Sequence, residues 1–246
     1  MHIALLSDIH SNVHALKACL RHATDRGAVR YAFLGDFVGY GGDPCGVVDI
    51  VAEYVANGAI ALKGNHDEAV EKKESYFNDA AQAALDLARS VLSVEQKRFL
   101  ADLPLMAKED AMCLVHASAA SPAKWTYIDS PGAAKRCADA AQASHTFCGH
   151  MHDQVLYFES SGGRMNEFHP LPGTAIPVYG GRRWVMLVGS VGQPRDRNPA
   201  AAYTMFDTGR QTVTFHRVAY DAIAAADQIR SVGLPESLAY RVELGI

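Results

Sequence analysis

The first third of the chain alternates short apolar runs with longer segments of helical periodicity. Three runs are typical of buried strands: HIALLSD, YAFLGD and AIALKGN. After the first of them, Val13, Leu16 and Leu20 recur at helical spacing, and Asn12 is the predicted N-cap. The segment GVVDIVAEYVANG predicts a second helix. This βαβαβ order predicts parallel strands joined by right-handed crossovers.

The pattern predicts helices in the middle of the chain and mostly β-strands in its last third. The middle segments FNDAAQAALDLARSVL and SVEQKRFLADL have helical composition, and Ser93 with Gln96 predicts a capping box. Strands return with AMCLVHAS and, after a further helix, with HTFCGH. Glycine and proline then punctuate a series of strand-like segments, which predicts a β-rich last third. A final helix, YDAIAAADQIRSVG, precedes the tail LPESLAYRVELGI.

This order of elements predicts an α/β fold, more closely an α+β sandwich, with two packed β-sheets and helices outside them. The 246 residues are 49% hydrophobic, which is sufficient for a sizeable core. No linker, repeat or low-complexity tract interrupts them. We therefore expect residues 1–246 to form a single domain with a C-terminal helical tail from about residue 220 to 246.

Charge and cysteine content narrow the classes of function. A net charge of −4 provides no basic field and argues against a nucleic-acid partner. The N-terminal run soon meets Asp8 and lacks a basic flank, so it does not resemble a signal peptide, and no apolar run approaches membrane-spanning length. The five cysteines are scattered and predict reduced thiols. We expect a cytoplasmic protein without a membrane partner, and its oligomeric state stays open.

Possible metal ligands stand at the end of one predicted strand after another. The stretches are SDIH, LGDF, KGNHD, LVHAS and CGHMHDQ, and their candidate residues are Asp8, His10, Asp36, Asn65, His66, Asp67, His116, His150 and His152. In open α/β sheets, binding sites form beyond the carboxyl ends of the strands. Glycine precedes three of these candidates, at Gly35, Gly64 and Gly149, where it lets the backbone come close to a site.

The clustering of these residues, more than any one of them, favours a metal site. A lone aspartate at a strand end often caps a helix, and a lone histidine is often structural. Here five of the eleven histidines fall at predicted strand ends. The others lie inside predicted helices or strands and are interpreted as structural: His2, His14, His22, His145, His169 and His216.

The types of ligand narrow the choice of metal. Carboxylates, imidazoles and an amide oxygen, without thiolate, suit Mn, Fe, Zn or Ni. Two ions about 3.5–4 Å apart can clamp the attacking and leaving oxygens of a phosphoryl transfer. Such a pair needs a bridging carboxylate, and Asp36, which stands alone on its strand, is the obvious candidate.

The ordered motifs DIH, GD, GNHD, VH and GHMH, from residue 8 to residue 152, resemble those of the calcineurin-like metallophosphoesterases. The β-rich remainder to about residue 218 is similar to the second sheet of that family. The resemblance implies a four-layer α/β/β/α fold, two mixed sheets flanked by helices, with a dinuclear metal site at the C-terminal ends of strands. It implies that one metal is held by Asp8, His10, Asp36 and His152, and the other by Asp36, Asn65, His116 and His150.

The same resemblance implies a mechanism. A hydroxide that bridges the two metals would attack the phosphorus of a phosphomonoester or phosphodiester. His66 would contact the phosphoryl group and protonate the leaving oxygen as general acid. Asp67 would orient His66 or a neighbouring backbone group, with a simple turn residue as the alternative. Asn65 would also contact the substrate.

The residues around the motifs bear on the substrate. Val38, Gly39 and Tyr40 stand where protein serine/threonine phosphatases carry an arginine, which argues against phosphoprotein phosphatase activity. The stretches SDIHSN, GDFVGYGGDP, GNHD and GSVGQPRD are similar to those of a bacterial and archaeal subgroup of small phosphoesterases. The segment Gly189–Pro199 either reaches over the site, with Arg195 on the substrate, or forms a surface turn. Tyr40 and Trp125 are candidate walls for a flat leaving group, although packing is the favoured role of Trp125.

Three functions remain in competition. The first is a metal-dependent phosphoesterase acting on a small phosphorylated substrate. The second is an inactive scaffold or binding module of the same fold, but such relatives usually lose ligands, and here every ligand and His66 are present. The third is a metal-dependent nuclease, which would need a positively charged track that the sequence does not indicate.

Overall fold

Alternate residues of the first strand face two different hydrophobic cores. Ile3 and Leu5 pack between two β-sheets, whereas Ala4 and Leu6 pack under helices on the outer face of one sheet. This alternation follows from the two-residue period of side chains along a strand. The computed structural model describes residues 1–72 and 77–246, and these form two six-stranded sheets stacked face to face.

The first sheet combines N-terminal strands with strands from the last third of the chain. Its strands are β1 His2–Leu6, β2 Arg30–Phe33, β3 Ile60–Ala61, β9 Ala175–Pro177, β11 Ala201–Asp207 and β12 Thr212–Val218. Their order in the sheet is β3-β2-β1-β11-β12-β9. The strands β1, β2 and β3 are parallel, as the βαβαβ order predicts, and β11 runs antiparallel to β1.

The second sheet draws on the middle of the chain. Its strands are β4 Met106–Glu109, β5 Met112–Val115, β6 His145–Cys148, β7 Gln154–Glu159, β8 Met165–Phe168 and β10 Trp184–Val188. Their order is β4-β5-β6-β10-β7-β8. The strand β6 is parallel to both β5 and β10, and the outer pairs are antiparallel, so this sheet is mixed as well.

Helices cover the outer faces of both sheets. They are α1 Val13–Asp25, α2 Pro44–Ala56, α3 Asn65–Glu71, α4 Asp79–Val91, α5 Val94–Asp102, α6 Pro131–Ala141, α7 Ala222–Ser231 and α8 Glu236–Leu244. Residues of α1, α2, α4 and α5 pack on the first sheet, and α6 packs on the second. The predicted four-layer α/β/β/α fold is therefore confirmed.

Two predictions about helix ends are also confirmed. The side chain of Asn12 accepts a hydrogen bond from the amide of Ala15 at 3.0 Å and caps α1. Ser93 and Gln96 bond each other's amides in the predicted capping box at the start of α5. Both caps supply partners for amides that a helix leaves unpaired.

Other sequence predictions need correction. The β-rich remainder is not one sheet: its strands β7, β8 and β10 join the second sheet, whereas β9, β11 and β12 complete the first. The third predicted strand is only Ile60–Ala61, and the GNHD motif opens the helix α3 instead of continuing a strand end. Local pattern does not tell which sheet an antiparallel strand will join, because pairing partners lie far apart in the chain.

The C-terminal segment is more than a tail. Residues of α7 and α8 pack with Ala84 of α4 and with the partly buried ring of Tyr40. The segment that reads as a tail after α7 thus contains a full helix, α8, held by its own apolar face. Within residues 1–72 and 77–246, no helix has the length and apolar content needed to cross a membrane.

Candidate metal centre

The predicted ligands meet where strands of both sheets end. Asp8 and His10 follow β1, Asp36 follows β2, His116 follows β5, and His150 and His152 follow β6. Asn65 is the first residue of α3. All seven side chains are buried. Because β5 and β6 belong to a different sheet from β1 and β2, stacking of the two sheets is what assembles the cluster.

Most of these residues lie in the left-handed backbone region. Asp8, His10, Asp36, His150 and His152 have φ values of 53°, 48°, 56°, 67° and 64°. A positive φ is uncommon for a residue with a Cβ and costs of order 1–3 kcal/mol. The strain is concentrated at the strand ends that turn side chains toward one point, which is typical of functional sites.

Two glycines permit the close approach of neighbouring segments. A Cβ on Gly64 would lie 2.1 Å from Oδ1 of Asp36, and a Cβ on Gly149 would lie 1.8 Å from the hydroxyl oxygen of Ser7. Neither distance is compatible with a side chain. Glycine at these positions therefore lets the segments that carry Asn65 and His150 reach the segments that carry Asp36 and Asp8.

The first group of candidate ligands is Asp8, His10 and His152. The Nε2 atoms of His10 and His152 are 3.1 Å apart. Oδ1 of Asp8 lies 3.4 Å from Nε2 of His152 and 4.0 Å from Nε2 of His10. These three side chains can offer one ligand atom each to a common ion.

The hydrogen bonds of the imidazoles of His10 and His152 determine which ring atoms of these two residues face each other. Nδ1 of His10 bonds the carbonyl of Val38 at 3.0 Å, and Nδ1 of His152 bonds the carbonyl of Gln193 at 2.6 Å. A carbonyl only accepts, so both Nδ1 atoms carry hydrogen. Burial holds the pKa of both rings well below the usual value, so both are neutral, and both Nε2 atoms present lone pairs. Two lone pairs and a carboxylate at this separation repel one another unless a cation lies among them.

The second group of candidate ligands surrounds Asp36. Oδ2 of Asp36 lies 3.4 Å from Nε2 of His116 and 3.7 Å from Nε2 of His10. Nε2 of His116 is also 3.3 Å from Oδ1 of Asn65 and 3.2 Å from Nδ1 of His150. The same carboxylate oxygen thus faces a histidine of each group, as a carboxylate between two ions would.

The pKa values of Asp8 and Asp36 are shifted in opposite directions. Burial raises the pKa of Asp8 to about 6, against the positive charge of His116. Burial acts on Asp36 in the same direction, but His116 and the other histidines around it hold its pKa well below the usual value. The carboxylate of Asp36 in turn overcomes burial and raises the pKa of His116 to about 9. The opposite charges of Asp36 and His116, 3.4 Å apart, therefore favour each other.

His66 lies beside this cluster but bonds differently. Its amide donates to Oδ1 of Asp36 at 2.9 Å, while its Nδ1 is buried without a hydrogen-bond partner among the described residues. Its ring centroid is 4.8 Å from that of His10 and 4.7 Å from that of Tyr40. Burial lowers its pKa to about 4, so the free imidazole is neutral at pH 7. An atom of His66 also lies close enough to Asp36 and His10 to share an ion with them.

Asp67 faces the backbone and not the ring of His66. Its carboxylate accepts hydrogen bonds from the amides of Asp36 and Phe37 at 2.8 Å and from Gly64 at 2.9 Å. Burial and the charge of Asp36 raise its pKa to about 7, while the amides favour the ionised form. Asp67 thereby ties the turn that carries Asp36 to the start of α3. It is more than a turn residue.

The cluster opens into a cavity of about 590 Å³. Predicted residues in its lining are Asp36, Tyr40, Asn65, His66, Trp125, His150, His152 and Arg195. The guanidinium carbon of Arg195 lies 5.7 Å from the ring centre of Tyr40. The segment after β10 returns to the site, since the amides of Val191 and Gly192 donate to Ser7 and Asp8 at 2.9 Å.

Sequence reasoning missed several lining residues. They are Phe77, Asn78, Ala81, Lys124, Tyr127 and Arg241. Tyr127 stacks on His150 with ring centroids 4.4 Å apart and an angle of 16°. Trp125, a candidate wall for which the sequence favours packing, lines the cavity and donates from Nε1 to Glu68 at 3.2 Å. None of these residues follows a strand end, so the signal that located the ligands did not reach them.

The sequence pattern of the calcineurin-like phosphoesterase superfamily domain matches residues 1–211. The chain belongs to this superfamily. An uncharacterised protein of Methanocaldococcus jannaschii is 33% identical to it over 251 residues, covering 99% of this chain and 98% of the relative. The calcineurin-like phosphoesterases are metal-dependent hydrolases, and the side-chain groups described above could hold metal ions.

Solved structures share the fold over the full length. The crystal structure of a metallophosphoesterase from Sphaerobacter thermophilus matches with a TM-score of 0.88 and 34% identity, covering 100% of this chain and 99% of that one. A hypothetical protein of Pyrococcus horikoshii matches with a TM-score of 0.80 and 20% identity, covering 100% and 98%, and shows the likeness of fold alone. Both comparisons extend through α7 and α8, beyond the residues that the superfamily pattern matches.

Proposed function

We propose that the chain is a metal-dependent hydrolase of phosphoric esters that acts on a phosphomonoester or a phosphodiester. The observation that carries the proposal is the convergence of lone pairs at His10 and His152, beside the shared oxygen of Asp36. This donor arrangement opens into the cavity that also holds His66 and Arg195. A cation binds the lone pairs of these ligand atoms, and an anionic ester can reach the cation from the cavity.

The proposed ligand sets correspond to the two groups of side chains in the candidate metal centre. One ion would be held by Asp8, His10, Asp36 and His152, and the other by Asp36, Asn65, His116 and His150. Oxygen and imidazole donors of this kind suit Mn, Fe, Zn or Ni. When bound, two such ions supply Lewis acidity toward a phosphoryl oxygen and a water molecule. Asp36 would bridge them, since its Oδ2 faces His10 and His116 alike.

His66 is the proposed general acid. It is neutral at pH 7 in the free protein because burial lowers its pKa to about 4. An anionic phosphoryl group next to it favours the charged imidazolium. His66 would therefore take up a proton as the substrate binds and deliver it to the leaving oxygen. Asp67 acts as a positioning residue in this proposal, because its carboxylate holds the backbone of Asp36.

Arg195 and Tyr40 are the proposed substrate-binding residues, together with the amide group of Asn65. A guanidinium pairs well with the oxygens of a phosphate. The cavity volume of about 590 Å³ is within the range of small-molecule sites, which favours a small phosphorylated substrate over a nucleic-acid strand. The cysteines are free thiols, and we propose that the protein acts in the cytoplasm.

The test is hydrolysis of p-nitrophenyl phosphate and bis-p-nitrophenyl phosphate by metal-stripped protein reloaded with Mn, Ni, Zn or Mg. His66→Asn and Asp36→Asn are compared with His169→Gln, a control in a side chain that is 73% exposed. We expect metal-dependent turnover that both site variants reduce at least about a hundredfold and the control leaves unchanged.

The preferred ester would distinguish a monoesterase from a diesterase. Stoichiometric metal binding without turnover of either ester would contradict the hydrolase proposal and favour the scaffold alternative. Cleavage of single-stranded DNA at low salt, in preference to both esters, would favour a nuclease instead. Absence of metal binding would remove the basis of all three.

A further inference from the structure

The C-terminal helix α8 contributes a cation to the cavity. Arg241 of α8 lines the same cavity as Asn65 and His66, although α8 lies beyond the residues that the superfamily pattern matches. Nε of Arg241 donates to the main-chain oxygen of Ile246 at 2.8 Å, which fixes one side of its guanidinium. No hydrogen bond of its two terminal nitrogens to another of the described residues is seen.

Two loops of the site contact the C-terminal helices α7 and α8. The amide of Arg197, in the loop that carries Arg195, donates to the carbonyl of Gly245 at 2.7 Å. A Cβ on Gly42, in the loop that carries Tyr40, would lie 2.9 Å from the backbone of Gln228 in α7. The C-terminal helices are thus fitted closely against the two loops that line the cavity.

Within the described part of the chain, Arg195 and Arg241 form a pair of like charges without a carboxylate side chain beside them, and the guanidinium of Arg241 bonds only the main-chain oxygen of Ile246. Among residues 1–72 and 77–246, no aspartate or glutamate side chain lies within 4.0 Å of either guanidinium. Nε of Arg195 is buried without a hydrogen-bond partner among the same residues. Burial and the charge of Arg195 lower the pKa of Arg241. Two guanidinium groups beside one cavity repel each other, and a bound anion reduces that cost.

We propose that Arg195 and Arg241, with Tyr40 between the metal centre and Arg195, form a subsite for a second phosphate group, so that the preferred substrate is a small bisphosphorylated molecule. The inference rests on the proposed function for the first phosphate, which lies at the ligand cluster. Tyr40 contacts the ring of His10 at a centroid distance of 4.7 Å and Arg195 at 5.7 Å, so it separates the two positions.

Charge supports a second phosphate over a neutral leaving group. Asp36 is the only carboxylate among the described residues that line the cavity, and it belongs to the ligand cluster. The cations in the lining are Lys124, Arg195 and Arg241. A single phosphate at the ligand cluster does not need both guanidinium groups, whereas a second phosphate accepts charge-assisted hydrogen bonds from both of them.

The experiment compares ligands that differ by one phosphate. The pairs are adenosine 3′,5′-bisphosphate with adenosine 5′-monophosphate, and pyrophosphate with phosphate. Dissociation constants are measured by calorimetry on Mn-loaded His66→Asn protein, in which turnover is slow. Arg241→Gln, Arg195→Gln and Arg241→Lys are introduced into this background. Arg210→Gln is the matched control, since Arg210 is 85% exposed and lies outside the cavity.

We expect the parent to bind the bisphosphorylated member of at least one pair about tenfold more tightly or better, as one charge-assisted contact predicts. Either glutamine variant should reduce that ratio to about threefold or less, Arg241→Lys should keep an intermediate ratio, and Arg210→Gln should keep the parent ratio. Thermal melting of each variant checks folding, and Arg195→Gln decides the outcome if Arg241→Gln does not fold.

Two results would overturn the subsite: no discrimination in either pair, or discrimination that both glutamine variants leave intact. Phosphate release by the protein with His66 present is measured separately. Absence of release with a preserved, arginine-dependent binding ratio would remove the proposed hydrolase function and leave the subsite standing. Turnover without such a ratio would support the proposed hydrolase function and remove the subsite.

Discussion

The Nε2 atoms of His10 and His152 lie 3.1 Å apart, and each ring has its hydrogen on the opposite nitrogen, where a backbone carbonyl accepts it. The two atoms come from segments 142 residues apart in the chain. Each carbonyl fixes the tautomer of its ring, so that a lone pair is directed toward the other ring. A cation bound between these two lone pairs would therefore stabilise the fold.

Metal removal should therefore destabilise the protein. A metal that binds only the folded state adds stability according to its concentration over its dissociation constant, about 4 kcal/mol at a thousandfold excess. We expect the melting temperature to fall by several degrees in a chelator and to recover on addition of Mn or Zn. His152→Gln should bind one ion per chain instead of two, measured by elemental analysis, whereas His169→Gln should bind two. An unchanged melting temperature in the chelator would contradict this account.

Asp67→Asn should weaken the fold and the metal site together. Its carboxylate accepts three backbone hydrogen bonds, and the amide of asparagine would turn a donor toward one of these N–H groups. An unsatisfied pair of buried donors costs about 2–4 kcal/mol. Urea unfolding measures the loss, with the exposed Asp102→Asn as control. A loss of activity without any loss of stability would show that Asp67 acts on the reaction and not on the backbone of Asp36.

Gly149→Ala tests the close approach of two strand ends. The new Cβ would lie 1.8 Å from the hydroxyl of Ser7 and 2.7 Å from Oδ2 of Asp8. We expect a loss of at least about 3 kcal/mol in unfolding free energy, since backbone must move to relieve the overlap. Gly162→Ala, which meets nothing within 4 Å, should change stability by less than about 0.5 kcal/mol. Equal stability of the two variants would contradict the packing described here.

A buried histidine far from the metal centre should make the protein sensitive to acid. His216 stacks on Tyr203 at a centroid distance of 4.9 Å, and burial lowers its pKa to about 4. The unfolded chain takes up the proton near pH 6.5 and the folded chain does so only near pH 4, so stability falls as pH drops through this window.

His216→Phe keeps the stacked ring and removes the titration. We expect its unfolding free energy in urea to decline less between pH 7 and pH 4.5 than that of the parent, with His169→Gln as the control that follows the parent. The remaining decline belongs to other groups. A variant whose stability falls in parallel with that of the parent would show that His216 does not contribute to the acid sensitivity.

The candidate ligands could be predicted from the sequence because, except for Asn65, each one follows a buried strand. The carboxyl ends of parallel strands meet at one edge, so the position of Asp8 or Asp36 after an apolar run already predicts convergence. Helix caps at Asn12 and Ser93 were equally visible, since a cap depends on residues three positions apart. These features depend on residues close together in the chain, so they can be recognised in a single sequence.

Arg241 and Tyr127 could not be found in this way. Arg241 lies on a helix whose own periodicity only indicates a buried face, and Tyr127 lies in a loop without a motif. Both reach the cavity because distant segments dock there: α8 against the loop that follows β10, and Tyr127 against His150. Nothing in the neighbouring residues of either one encodes that docking.

The sequence by itself determined the order of strands and helices, the family resemblance and the set of metal-ligand candidates, because strand ends and caps depend on nearby residues. The tertiary structure alone decided which sheet β9, β11 and β12 join, and it placed Asp67 on the backbone of Asp36. It also brought Arg241 beside Arg195. These outcomes depend on pairing and packing between residues far apart in the chain, where the free energy of the whole fold, and not the local pattern, selects the partners.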